Sequence, residues 1–367
     1  MPRLRPYAAL AARALQANFV RPSAPYKLTF CLTYWCNYEC QTCNIWKMKP
    51  RDELSTDEIR RFFQRSNRFV WVDLTGGEVS LRKDFVDVCE AVTANCRDLV
   101  LLHFPTNGFL TDKIVAATRE IVKMRTEKLI ITVSTDGDEA MNDAVRGVEG
   151  GWRRQIETFR RLREIPGVEV VLGMTLSAPN VDHFPQAFAA AKAEIPDLGY
   201  RDFHVNIVHE SAHYLGNTDL GLRRNVSAAA LARATEEYGR LRGFGWSPVN
   251  YLERAYLKRV RRYLETGQTP VRCHALRASC FVDSWGNVFP CTIYDRKVGS
   301  LREVDYEIGR IWQSEQAAAL QKEIWEYKCP QCWTPCEAYQ SILGNVLRPW
   351  DLQRGRSPRQ AVVEERG

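Results

Sequence analysis

No apolar run in the chain comes near the ~18 residues that a bilayer-spanning helix needs, so the sequence offers no membrane span. Nor does it hold a large excess of charge. Fifty-one basic against 44 acidic residues leave +7 over 367 positions, too little to argue for nucleic acid as a partner. Asp and Glu are missing from the first 38 residues, while Arg3, Arg5, Arg13, Arg21 and Lys27 lie there. A cleaved secretory signal is lacking too, because Arg13 and Gln16 interrupt the apolar part. Twelve cysteines in a chain without export are therefore not a disulfide framework; they read as metal ligands in a reducing, cytoplasmic compartment. The length is enough for one full domain plus a smaller one.

Ten of those cysteines fall into two groups, and Cys89 and Cys96, within one helical pattern, read as ordinary helix residues. The first group is Cys31 with Cys36, Cys40 and Cys43, the last three spaced C-x3-C-x2-C. Three thiolates hold three irons of a [4Fe-4S] cube and leave the fourth open to another ligand, whereas a closed structural site takes four protein ligands. Cys31 lies inside the apolar run Lys27 to Thr33 and reads as a buried thiol. Zinc is the competing reading of any short cysteine cluster.

From Lys27 to about His209, β-branched runs alternate with amphipathic helical stretches. Strands are expected at Lys27 to Thr33, Phe69 to Leu74, Leu99 to Phe104, Lys128 to Ser134, Val168 to Leu176 and Asp202 to Val208. Ser55 with Glu58 three residues on forms a capping box that opens the first helix between them. Six such units imply parallel strands with helices outside, too few for a closed eight-stranded barrel. The cysteine triplet, Gly76-Gly77-Glu78, Thr106-Asn107-Gly108 and Ser134 to Asp136 each follow a strand, where parallel α/β folds place active sites.

The triplet, the Gly-Gly-Glu segment and the run Ser134-Thr135-Asp136-Gly137 with Arg146-Gly147 together resemble the radical S-adenosylmethionine (SAM) superfamily. That resemblance implies an α/β fold: a partial (β/α)6 TIM-like barrel with a small C-terminal cysteine-rich iron–sulfur module. It implies a [4Fe-4S] cluster on Cys36, Cys40 and Cys43 whose open iron is chelated by SAM, reductive cleavage of SAM to a 5′-deoxyadenosyl radical, and hydrogen abstraction from a substrate carbon. It assigns Gly76, Gly77 and Glu78 to the SAM amino group, Ser134 to the ribose and Arg146 to the carboxylate, with Asp136 in the same segment. A carboxylate pairs well with an ammonium, and an arginine with a carboxylate through two parallel bonds. Asn107 and Asn180, each just past a strand, are further candidate contacts. One departure is Thr42, where the family carries an aromatic residue over the adenine; Trp46 or Tyr38 is the substitute.

The second group opens with Cys273 and Cys291, which flank a hairpin signal at Ser284 to Asn287, and ends with Cys329-Pro-Gln-Cys332 and Cys336. It resembles the SPASM and twitch modules, which bind two and one auxiliary [4Fe-4S] clusters. Two fully ligated cubes need eight thiolates, and this module has six. One auxiliary cluster on Cys273, Cys291, Cys329 and Cys332 is therefore expected, with Cys280 and Cys336 as alternates; two clusters or a zinc ribbon are the other readings. Full ligation leaves electron transfer as the cluster's role, which points to oxidation of a substrate radical.

His204, His209, Glu210, His213 and Tyr214, at and beyond the sixth strand, are the candidate catalytic side chains. The chain divides into a basic amphipathic N-terminal helix (1–25), the radical SAM barrel (26–215), a helical connector (216–268), the auxiliary module (269–345) and a mobile tail (346–367). The expected enzyme is a cytoplasmic oxidoreductase or C–H functionalising enzyme, reduced by a flavodoxin or ferredoxin, acting on a small-molecule or lipid-like substrate and not on nucleic acid. The basic N-terminal helix extends this to contact with the inner face of the membrane. Maturation of a ribosomal peptide is the alternative, disfavoured because no peptide-recognition domain precedes the barrel. A non-catalytic iron–sulfur electron carrier or zinc-binding interaction protein is the alternative of another class.

Overall fold

The computed structural model describes residues 4–124 and 126–347. The tail expected from residue 346 lies, from residue 348 on, outside the described residues.

Strands β1 (Lys27–Thr33), β2 (Trp71–Gly76), β3 (Leu101–Thr106), β4 (Lys128–Ser134), β5 (Val168–Leu176) and β6 (Phe203–Ile207) run parallel in sequential order. On the far side of β1 the sheet continues with β7 (Ser279–Val282), parallel to β1, and then with antiparallel β8 (Asn287–Phe289) and β9 (Gly299–Ser300). The hairpin of the cysteine-rich module is thus part of the same nine-stranded sheet, an open α/β barrel extended at one edge.

The helices follow in chain order: α1 (Leu4–Phe19), α2 (Thr56–Arg65), α3 (Phe85–Asn95), α4 (Thr111–Lys123), α5 (Glu139–Arg146), α6 (Gly151–Arg163), α7 (Phe184–Glu194), α8 (Ala228–Arg242), α9 (Pro248–Thr266), α10 (Ile308–Trp312), α11 (Glu315–Trp325) and α12 (Pro335–Gly344). The capping box at the start of α2 is formed, with Ser55 and Glu58 exchanging bonds. Glu58 also reaches Arg302 at 2.7 Å, and that guanidinium draws its carboxyl down to about 2.

Strand alternation sets the two faces. On β3, Leu102 and Phe104 are buried, and Phe104 meets Phe85 of α3 edge-on at 5.0 Å, so the helices cover that face. His103 points the other way, into the barrel, beside Asp73 of β2 and Thr132 of β4.

At the N-terminal ends of the strands, α1 lies on a small cluster formed by Ala17, Tyr26, Val70 and Ala278. α12 also contributes from inside: Lys27 Nζ bonds the Cys336 carbonyl and Gln340, and Tyr339 stacks on Trp71. The stretch expected as a connector is two helices built onto the barrel. α9 places Glu253 2.7 Å from His204, and its Tyr256 carbonyl accepts the Trp333 indole N–H.

Candidate active site

The cysteine loop leaves β1 and is pinned on three sides without using a sulfur. Gln41 N–H donates to the Val145 carbonyl at the end of α5, Asn44 donates to the Gly216 carbonyl, and Asn217 donates to the Thr42 carbonyl. The β2 loop lies directly against it: Gly77 N–H donates to Thr33 and Glu78 N–H to Trp35. Both glycines are needed for that approach. A Cβ on Gly76, at φ +147°, would strike the Thr33 carbonyl oxygen, and one on Gly77 would strike the Trp35 carbonyl and come within 3.1 Å of the Cys36 Cβ. Gly77→Ala is accordingly expected to cost about 1–3 kcal/mol of stability and to lower the iron bound by the cysteine loop, checked by iron assay and a urea titration of the same preparations.

Glu78 is fully buried. One of its oxygens accepts from Ser80 N–H and the Thr106 hydroxyl, the other from Asn107 N–H at 2.6 Å. Asn107 in turn donates to Asn37 in the cysteine loop at 2.7 Å. The Gly-Gly-Glu segment therefore joins the ends of β1, β2 and β3.

On the other side, Arg146 pairs with Asp136 at 2.8 Å and lies 5.2 Å from the Tyr38 ring centroid. Asp136 also accepts from Thr175 N–H, and its carbonyl accepts from the fully buried Asn180. Arg146 Nε is buried without a partner among the described residues. Ser134 ends β4, opposite Gly173 of β5. Tyr38 is buried beneath Arg146, whereas Trp46 stands partly exposed with its indole N–H on the Cys43 carbonyl.

The cofactors implied by this constellation fit the donor set. Cys36, Cys40 and Cys43 influence one another's titration; burial pushes Cys36 up to about 11 and Cys43 up to about 12, and raises Cys40 against the pull of Arg146. In the module, Cys273 lies near Cys332 and Cys329, and Cys291 near Cys332 and Cys273. Sulfurs in both sets accept N–H bonds: Cys43 from Ile45, Cys273 from Ala275, Cys291 from Tyr294, and Cys329 from the Gln331 side chain. Such bonds to ligating sulfur are a lever on cluster potential. By contrast, Cys31 donates to the Thr33 carbonyl, and Cys89 and Cys96 are buried in the core. Cys280 and Cys336 lie by Lys27, which none of the other four thiols feels, while Glu337 lies near Cys280 and Cys336 and near Cys273, Cys291 and Cys332 alike. Among the described residues no three His, Cys, Asp or Glu side chains converge closely enough to share one metal ion. A four-iron cube, with a thiolate at each corner, holds its ligands farther apart than a single zinc does.

The five candidate catalytic side chains do not form one site. His204 bonds Glu253 in the barrel. His209 donates through Nδ1–H to the Ile207 carbonyl, and its Nε2 accepts the Trp333 N–H; burial lowers its pKa to about 4, which keeps it neutral for that role. Glu210 accepts from Arg223 N–H. His213 stacks on Phe289 at 4.4 Å and bonds the Cys291 carbonyl. Tyr214 shares a 2.7 Å bond with Thr75 of β2. His209 and Glu210 line a cavity of about 380 Å³ with Arg223, Tyr294, Asp295 and Gln331, at the edge of the second cysteine set.

A group absent from the sequence reading lies inside the barrel. Lys27 Nζ is 3.1 Å from Asp73, and His103 Nδ1 is 3.3 Å from the other Asp73 oxygen. The indole of Trp71 donates to Asp73 at 2.7 Å, and His103 Nε2 reaches the Thr132 hydroxyl at 3.0 Å. Burial alone would raise Asp73, but Lys27, His103 and Trp71 outweigh it and hold the carboxyl well below the usual range. The His103 side chain keeps 26% of its surface accessible, the most open member of the group. A lone charged or imidazole residue at an inward position of an otherwise apolar strand is the signal that marks such a set.

Comparison with known proteins places this geometry. The radical SAM superfamily matches residues 30–188, and the SPASM iron–sulfur cluster-binding domain matches residues 273–337. The mycofactocin maturase MftC of Mycolicibacterium smegmatis is 32% identical over 176 residues, covering 46% of this chain and 42% of that protein. The chain thus spans about two-fifths of the length of that relative. The AdoMet-dependent heme synthase of Methanosarcina barkeri is 26% identical over 314 residues, 80% of this chain and 84% of that one. Among solved structures, Streptococcus suis SuiB bound to S-adenosylmethionine superposes with a TM-score of 0.56 at 16% identity, covering 82% of this chain and 68% of SuiB.

Proposed function

The chain belongs to the radical SAM superfamily and carries a SPASM iron–sulfur module, and on that premise we propose that it is a cytoplasmic enzyme that oxidises or otherwise functionalises a C–H bond of a small or lipid-like substrate held in the barrel. Cys36, Cys40 and Cys43 would hold the SAM-binding cluster, and Cys273, Cys291, Cys329 and Cys332 one auxiliary cluster. Bound there, SAM and the two clusters supply a radical that removes hydrogen and an acceptor for one electron. Gly76, Gly77 and Glu78 would receive the SAM amino group, Arg146, whose Nε has no partner among the described residues, would pair with the carboxylate, and Ser134 would contact the ribose.

What supports the oxidative reading is the grouping of Cys273, Cys291, Cys329 and Cys332 through Cys273 and Cys332, with Cys280 and Cys336 set by Lys27. Four protein ligands leave no open iron for substrate, so electron transfer is the remaining role. Oxidation of a substrate radical releases a proton as well as an electron. His103, aligned by an ionised Asp73 and accessible within the barrel, is the base placed to take it.

A small-molecule substrate is supported by the heme synthase, which aligns along most of the chain, while the mycofactocin maturase aligns over less than half of it. The higher identity of the maturase favours a peptide as the second reading.

The test uses anaerobically reconstituted protein with dithionite as reductant. About eight irons per chain and 5′-deoxyadenosine from SAM are expected; bound zinc, or full clusters without SAM cleavage, would overturn the proposal. Cys332→Ala should lose about half of that iron, and Cys280→Ala none. His103→Gln should leave substrate-free SAM cleavage near wild type and lower product formation about 10²-fold. That split is to be read with a porphyrin carboxylate as the small-molecule probe and a synthetic peptide as its competitor; turnover of the peptide alone would select the second reading.

A further inference from the structure

α1 carries a second apolar face besides the one that packs on the barrel. Its buried positions are Pro6, Ala14, Ala17 and Asn18, whereas Leu4, Tyr7 and Leu15 face outward with Ala8, Ala11 and Ala12, and Val20 follows them. Leu4 is 82% exposed. An ordinary surface helix turns its larger apolar side chains to the core; here Leu10 packs inward with Ala9, Ala14 and Ala17, while Leu4, Tyr7 and Leu15 stay out.

A second apolar surface stands where α8 turns into α9. Leu241, Phe244, Trp246 and Tyr251 are exposed there, Trp246 at 93%, with Phe244 and Trp246 packed edge-on at 4.9 Å. Arg254 lies 5.5 Å from the Phe244 ring centroid, and Arg240 and Lys258 are exposed beside it. Glu253, within α9, is buried against His204, while Glu236 and Glu265, farther along α8 and α9 from the turn, pair with Arg261.

Both surfaces belong to the same end of the barrel. Arg13 of α1 bonds the Arg68 carbonyl and Arg5 pairs with Asp98, just before β2 and β3. Arg201, just before β6, bonds the Phe244 and Arg242 carbonyls in the α8–α9 turn. This is the N-terminal end of the strands, away from the cysteine loop.

We propose that this end docks on an anionic lipid bilayer, α1 lying in the headgroup plane and the Phe244–Trp246 turn inserting beside it. The chemistry matches: aromatic side chains favour the interface between headgroups and acyl chains, an outward apolar helix face adds buried area, and Arg254 and Lys258, exposed beside the aromatic turn, meet anionic lipid. Among the described residues no helix is long and apolar enough to cross a membrane, so the attachment is peripheral. It stands independently of the reaction assigned to the barrel.

The experiment is co-sedimentation of the full-length, cluster-loaded chain with phosphatidylglycerol-rich and with pure phosphatidylcholine vesicles. Binding is expected to the anionic vesicles, to weaken as salt is raised, and to fall about tenfold or more in Phe244→Ser/Trp246→Ser and in Leu4→Glu/Leu15→Glu. Both variants should keep wild-type 5′-deoxyadenosine formation, which shows that they are folded. Equal binding to neutral vesicles, or no effect of either pair of substitutions, overturns the proposal. So does a dimer that both pairs dissociate, because the surfaces would then cover a second copy of the chain.

Discussion

Cys40→Ala is expected to abolish 5′-deoxyadenosine formation and to remove about four of about eight irons per chain, while the chain stays folded. Two thiolates cannot hold a cube whose fourth iron must remain free for SAM. The loop should nevertheless keep its shape, because its anchors are Gln41 to Val145, Asn44 to Gly216 and Asn217 to Thr42, and none of them uses the Cys40 sulfur. The iron that remains would be that held by the proposed ligands Cys273, Cys291, Cys329 and Cys332. Cys31→Ala is the matched control: its thiol donates to the Thr33 carbonyl and should leave both iron and cleavage unchanged. Iron, sulfide and 5′-deoxyadenosine measured on the same samples decide the matter. Cleavage surviving in Cys40→Ala would refute the ligand assignment.

The second large effect is on stability. Lys27→Met should destabilise the chain by about 3–5 kcal/mol, the usual consequence of leaving one charge of a buried pair uncompensated. Lys27 has no exposed side-chain surface; its ammonium is shared among Asp73, Gln340 and the Cys336 carbonyl, and sits 4.8 Å from the Trp71 ring centroid. Removing it takes the counter-charge from Asp73 and cuts the tie between β1 and α12. Lys27→Met/Asp73→Asn should recover much of the loss, since the carboxylate is then gone as well. Because the folded value of Asp73 is depressed, its contribution is present above the ordinary carboxylate range and disappears only as pH falls through the folded value. Urea titrations of the two variants at neutral pH give the comparison, and equal midpoints for Lys27→Met and wild type would show that the pair carries no stability.

The strands were legible where a β-branched run coincided with its ladder. β1, β4 and β5 begin and end at the residues expected from the pattern. β2 and β3 begin two residues later than expected, because the apolar residues before them serve another purpose: Val70 packs with Ala17 of α1 and Tyr26, outside the ladder. The cysteine triplet and the Gly-Gly-Glu segment could be read because their chemistry is local in sequence.

Lys27, Asp73 and His103 could not be read in that way. Each is the single charged or imidazole residue of its strand, and only the sheet brings them together. The opposite error is instructive. His204 to Tyr214 looked like a site because the residues are close in sequence, yet the end of β6 and its loop send them to separate partners, His204 to α9, His209 to Trp333 and His213 to the Cys291 carbonyl. Sequence proximity along a strand end is weak evidence of proximity in space.

The pairing of β7 with β1 has a mechanical consequence. The loop bearing Cys36 to Cys43 springs from the C-terminal end of β1, and the hairpin leading to Cys291 springs from a strand hydrogen-bonded to that same β1 from Lys27 to Phe30. Two redox centres mounted this way share one stiff strut and have no hinge between them. Electron tunnelling weakens steeply with distance, so a rigid spacing means that the rate of exchange is written into backbone geometry and does not wait on a domain motion.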